Sequence, residues 1–205
     1  MSTAIRDASV SLRTLLENRL RLDPDVRGML PPGALLNISL NTPEEMAQTN
    51  EQGISLWLYR IVRDEFRLNA RPTRVPPDRL RIQPLPLRLH YLVTPVFQRA
   101  QGVAAPELEQ TLLGKVAQVF HEEATLVTSD LVGTLADGGV ELTVRLESLN
   151  LDDVTRVWDA LERSYQLCLS YEVGIVPVAS RREVAAGPPV LVLAHEVGVA
   201  TELQP

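Results

Sequence analysis

Two strand-like segments are held apart in the chain by a long insertion rich in Arg and Pro. The first, Gly53-Ile54-Ser55-Leu56-Trp57-Leu58-Tyr59-Arg60-Ile61-Val62, is apolar and aromatic and reads as a central strand. The second runs from Pro84 to Thr94. In it Leu85, Leu87, Leu89, Tyr91 and Val93 alternate with Pro86, Arg88, His90 and Leu92, the pattern of a strand with one buried face. Pro95 is expected to end it. Between them lies an arm, from about Arg63 to Gln83, where Pro72, Pro76 and Pro77 are expected to block regular structure. Compact domains seldom carry such a connection unless it is functional or disordered.

The charge of the arm points the same way. From Arg60 to Arg81 there are seven Arg against three acids, Asp64, Glu65 and Asp78, a local +4 in a chain of net −6, so the remainder carries −10. Such asymmetry suggests self-assembly or docking on an acidic partner. Arg63, Phe66, Arg67, Arg71, Arg74, Arg79 and Arg81 are the candidate interface residues. Of the 20 basic residues only Lys115 is Lys. Arg suits planar contacts to carboxylates, but a GC-rich genome gives the same bias.

With 205 residues the chain has room for one domain with appendages and a sizeable core. The net negative charge argues against general nucleic-acid binding. The single cysteine, Cys168, excludes an internal disulfide and a multi-cysteine zinc site. Its apolar setting, Leu167-Cys168-Leu169, suits a buried, inert thiol. No apolar stretch is long enough for a membrane span. The N-terminus lacks a signal-peptide core, so the chain is expected to be made and kept in the cytoplasm until it is released.

Three further segments have helical period. Thr3 to Leu22 carries Ile5, Val10, Leu12, Leu15, Leu16 and Leu20, with Ser2 or Thr3 as cap. Pro106 to Glu122 carries Leu108, Leu112, Leu113, Val116, Val119 and Phe120. Asn150 caps a helix from Leu151 to about Arg163, with Val154, Val157, Trp158 and Leu161 inward. Strands are expected at Ala34–Leu40, Val140–Leu149 and Leu167–Val176, the last closed by Pro177. Residues 41–52 read as a turn or one loose helical turn. The order gives an α/β (α+β) fold with a single mixed β-sheet flanked by helices and the extended arm between two central strands. Residues 1–180 form the domain. Residues 181–205 form a C-terminal extension, with a short β-prone run at Val190–Ala194 and a mobile tail from Gly198.

Catalytic motifs fail on inspection. His121-Glu122-Glu123 begins like a zinc-protease helix, but Thr125 stands where the second His is required. Gly114-Lys115 lacks the rest of a phosphate loop, with Glu109 and Val116 at the key positions. Asp152 and Asp153 are adjacent on a helix and point apart. His90, His121 and His195 lie on three different elements, and His90 reads as a partner-facing or hydrogen-bonded residue. No catalytic, metal or cofactor site is assigned, and an enzyme is not expected.

Six segments in order carry a resemblance. They are Ile5 with Val10-Ser11-Leu12-Arg13-Thr14-Leu15-Leu16; Leu56-Trp57-Leu58-Tyr59-Arg60-Ile61; Pro84 to Thr94 after the arm; Glu109-Gln110-Thr111-Leu112-Leu113-Gly114-Lys115; Val157-Trp158-Asp159-Ala160-Leu161; and Tyr165 to Val173. Together, over about residues 3–180, they resemble the N-terminal domain of the cap, or tail-terminator, proteins of phage-tail-like contractile injection systems, antifeeding prophages and virulence cassettes among them. A Ser before the Tyr of the last strand, usual in that family, is matched by Ser170-Tyr171. The resemblance implies a tail-terminator-like fold and a homohexameric ring that closes tube and sheath, stops polymerisation and holds the sheath extended. It implies tube and sheath proteins as partners and a place in the particle after assembly. It carries over no catalytic residue. The competing reading is a monomeric adaptor or assembly chaperone for one tube or sheath subunit.

Overall fold

The computed structural model describes residues 3–30, 36–68, 73–75, 79–97 and 105–185. In chain order the elements are α1 (Ala4–Leu20), α2 (Pro24–Met29), β1 (Asn37–Ser39), α3 (Pro43–Gln48), β2 (Gly53–Arg63), β3 (Thr73–Val75), β4 (Arg79–Arg81) and β5 (Leu85–Val96). There follow α4 (Ala105–Glu122), β6 (Thr125–Leu126), a 3₁₀ turn (Thr128–Asp130), α5 (Gly133–Asp137), β7 (Leu142–Leu146), α6 (Leu151–Ala160), β8 (Leu169–Val178) and β9 (Glu183–Ala185).

Six strands form one sheet in the order β1-β2-β5-β8-β7-β6. β1 runs parallel to β2 and the other pairs are antiparallel, so the sheet is mixed, as the sequence indicates. One face is covered by α1 and α4. On α1 the buried stripe is Ala4, Ala8, Leu12, Leu16 and Leu20, a spacing of four that aligns one narrow face and lets small residues approach the sheet closely. On α4 all six apolar positions read from the sequence are buried. They meet Leu87, Leu89, Tyr91 and Val93 of β5 and Tyr171, Val173 and Val176 of β8 in one core. The Phe120 and Tyr171 rings meet edge to face at 4.8 Å. The buried Tyr91 hydroxyl is satisfied by Ser9 Oγ at 2.8 Å.

Several expectations shift. Pro95 does not end β5: it pairs with Ile54, and because the β8 ladder stops at Val93, its missing N–H leaves no gap in a second ladder. Pro177 likewise sits inside β8 opposite Pro86, beyond the point where β7 pairs with β8. β5 is buried on both faces in its middle, His90 and Leu92 included, whereas Leu85 is exposed. The Val140–Leu149 strand shortens to β7, and Leu146 is exposed. Of the α6 stripe only Trp158 is fully buried, and the helix ends at Ala160 rather than Arg163, with Glu162 at φ 53°. Ile5, Val10 and Leu15 of α1 are only half-buried, and Thr3 makes no side-chain cap bond.

The largest correction concerns the arm. It is not without regular structure: β3 and β4 pair antiparallel, and β4 pairs with β9 from beyond residue 180. The prolines do not block this hairpin, because the paired residues 73–75 and 79–81 contain none. The chain divides into two compact units, one of Met1–Asn69 with Pro84–Ala179, the other of Ala70–Gln83 with Ser180–Pro205. The Val190–Ala194 run and the tail from Gly198 lie outside the described residues.

Candidate interaction surface

The exit of β2 is built around one buried acid. Asp64 is 2% exposed, and its N–H donates to Pro86 O at 2.9 Å. Asp64 Oδ1 accepts from the backbone N–H groups of Phe66 at 2.9 Å and Arg67 at 3.0 Å, which fixes the turn that follows. Asp64 Oδ2 receives Arg88 Nε and Nη2, each at 2.7 Å. Arg88 Nη1 donates to Glu172 Oε1 at 2.5 Å, so β2, β5 and β8 are tied in one polar chain. Burial works to raise the Asp64 pKa, but the hydrogen bonds and charge of Arg88 outweigh it and hold the carboxyl below its ordinary value. The hydrogen bond to Asp64, ahead of the contribution of Glu172, raises Arg88 in turn.

This anchored turn presents Phe66, which is 92% exposed. An aromatic ring in water on a pinned turn costs little side-chain entropy on docking, the property of an interface anchor. Arg63 and Arg67 flank it and are exposed. A cleft of about 690 Å³ opens beside the turn, lined among others by Phe66, Arg67, Arg88, Arg145, Glu172 and Ile175. The remaining arm residues belong to the second unit. Arg74 lies on β3 and is exposed. Arg79 and Arg81 lie on β4, both exposed and both paired with Glu183 of β9, at 3.1 and 3.8 Å. Arg71 lies outside the described residues. The arginines read as one arm thus divide between two units, and two of them are partly neutralised by an acid distant in sequence.

A second polar group was not foreseen from the sequence. On the sheet face away from α1 and α4, His90 of β5 is 6% exposed, and its Nδ1 stands 2.9 Å from Glu147 Oε1. Ser170 Oγ donates to Glu147 Oε2 at 2.6 Å and lies 3.1 Å from Tyr59 Oη. Tyr59 reaches this group because β2 bulges there: Leu58 pairs with Tyr91 and Arg60 with His90, leaving Tyr59 without a partner in the ladder. Burial raises the Tyr59 pKa, and the Glu147 charge adds to it. Glu172 completes the group, with ligand atoms of His90, Glu147 and Glu172 all within 4.8 Å of one another. These residues are far apart in sequence, and only the pairing of β5, β7 and β8 brings them together. The hydrogen-bonded reading of His90 agrees with this geometry.

Comparison with known proteins places this architecture. The family model of the Pvc16 N-terminal domain matches residues 7–191. Among solved structures the chain is similar to the sheath/tube terminator, in its extended state, of the extracellular contractile injection system PVC. The TM-score is 0.57 and the identity 18%, over 95% of this chain and 65% of that one. It is also similar to the tube-terminating cap of the anti-feeding prophage, with a TM-score of 0.54 and 18% identity, over 92% of this chain and 61% of that one. The chain therefore spans just under two thirds of the length of these structures. No curated protein matches it.

Proposed function

The chain belongs to the Pvc16 N-terminal domain family, and on that premise we propose that it is a structural capping protein of a contractile injection particle. In this reading it closes the end of tube and sheath as a homohexameric ring, stops their polymerisation and helps keep the sheath extended. The observation that carries the proposal is the correspondence of fold to two terminator structures over more than nine tenths of the chain. The surface supports it. Ring closure requires two different patches on each subunit that meet across a heterologous interface. The turn presents an exposed aromatic ring, Phe66, between Arg63 and Arg67, and residues 60–81 as a whole carry +4 against −10 for the rest of the chain. The partners are further copies of the chain and the last layer of tube and sheath proteins. The protein assembles in the cytoplasm and then travels with the particle.

Particle morphology tests this. Producing the particle with the gene deleted, then restored, and measuring tube length by electron microscopy separates the readings. Tubes of uncontrolled length without the protein, and uniform length with it, are expected. Uniform tubes in its absence would overturn the capping role. Presence of the protein during assembly but not in finished particles would instead favour the adaptor or chaperone.

A further inference from the structure

We propose that His90, Glu147 and Glu172 form a binding site for a first-row divalent cation of the zinc type, which clips β5, β8 and the residue after β7 together. The ligand set comes first. One imidazole nitrogen and two carboxylates are the nitrogen and oxygen donors that such cations take. Their ligand atoms lie within 4.8 Å of one another. Zinc bonds of about 2.0–2.2 Å place ligand atoms roughly 3.3 Å apart in a tetrahedron, so rotation about the Glu side-chain torsions closes the difference. The His90 and Glu147 side chains are 7% and 17% exposed, and that of Glu172 is 22% exposed. The group is therefore sheltered but reachable, and Glu172 opens onto the cleft beside the Phe66 turn.

The surroundings are those of a supported site. Ser170 and Tyr59 hold Glu147 Oε2, so that Oε1, now 2.9 Å from His90 Nδ1, is the oxygen that would turn from His90 to the cation. Glu172 is oriented by Arg88, which Asp64 orients in turn. Partners that fix ligands from outside in this way are what first-row metal sites require. Charge gives the second argument. Asp64, Glu147 and Glu172 bring three negative charges, while Arg88 brings one positive charge already shared between two of them. These three carboxylates and Arg88 sum to −2 in the sheltered group. Arg60 and Arg145 flank it in the same cross-strand row, but both are exposed and screened by water. A divalent cation cancels that excess.

The test uses the full chain, stripped with a chelator, then dialysed against zinc and assayed by elemental analysis. One zinc per chain is expected. Cobalt in its place is expected to give the visible absorption bands of low-coordinate Co²⁺. His90→Ala and Glu172→Gln are each expected to weaken zinc binding at least tenfold, whereas Glu107→Gln, remote on α4, leaves it unchanged. Zinc is expected to raise the melting temperature of the wild-type chain. Less than half an equivalent of zinc retained by the wild type overturns the proposal without any variant. Equal affinity in the wild type and both site variants, each shown folded by circular dichroism, overturns it as well.

Discussion

Asp7, in the first turn of α1, is 2% exposed, and its Oδ2 accepts from Thr3 Oγ1 at 2.6 Å, Thr134 N at 2.9 Å and Thr134 Oγ1 at 2.8 Å. The turn it binds exists because Gly133 sits at φ +58°, where an added Cβ would stand 2.6 Å from Asp7 Oδ2. Gly133→Ala combines a left-handed backbone with a clash and is expected to cost about 2–3 kcal/mol in urea unfolding. Asp7→Ala leaves the Thr134 N–H unpaired and is expected to cost about 2 kcal/mol. Burial acts to raise the Asp7 pKa, yet the bonds from Thr3 and Thr134 and the charge of Arg6 bring it below the ordinary 3.8. Asp64 is lowered likewise. A carboxyl with a lowered folded pKa contributes stability above its unfolded pKa and loses it as pH falls through the folded one. The urea midpoint is therefore expected to hold near neutrality and to fall below about pH 4. Asp7→Asn is expected to show a shallower fall, and a drop equal to the wild type's would count against this account.

At the scale of elements, local signals and tertiary demands can be separated. α3 carries a full capping box, with Thr42 Oγ1 accepting from Glu45 N at 3.1 Å and Glu45 Oε2 accepting from Thr42 N at 2.8 Å. The sequence shows these residues, but a helix of one and a half turns gives too few apolar positions for a periodic pattern. Thr42→Ala is expected to lower stability by about 1 kcal/mol. The arm gives the sharper case. Removing residues 70–83 and everything after 179 deletes the β3-β4-β9 sheet as a unit and spares the Asp64 turn. Arg63 and Leu87 are cross-strand partners, so the ends of β2 and β5 are adjacent and a Gly/Ser linker replaces the removed segment. The trimmed chain is expected to fold, with cooperative melting and near-native circular dichroism. A loss of cooperativity would show that the first unit depends on the second.

For the whole molecule the open question is association, which the Phe66 turn makes specific. Phe66→Ala and Arg67→Glu are expected to leave melting unchanged, since both side chains are exposed, while weakening self-association or incorporation into particles at least tenfold. Light scattering on the wild type at low and moderate salt, beside both variants, measures this. An association that ignores both substitutions would remove the turn from the interface. The charge division predicts weaker association at higher salt.

The sequence determined the periodic elements. The stripe of α4, the Leu12, Leu16 and Leu20 row of α1 and the cap of α6 are each written within one helix, and their reading needs no partner, whereas the alternation of β5 marks a strand but not the burial of its second face. It also determined the fold class, because a helix with one apolar stripe and strands with buried faces can satisfy each other only by stacking. Tertiary structure decided which residues share a place. Pro95 and Pro177 stay in their strands because of which neighbours stop short. Arg79 and Arg81 are tempered by Glu183, some hundred residues away. Tyr59, His90, Glu147, Ser170 and Glu172 converge through strand register and one bulge. Register depends on the energy of the whole sheet, and no window of sequence contains it.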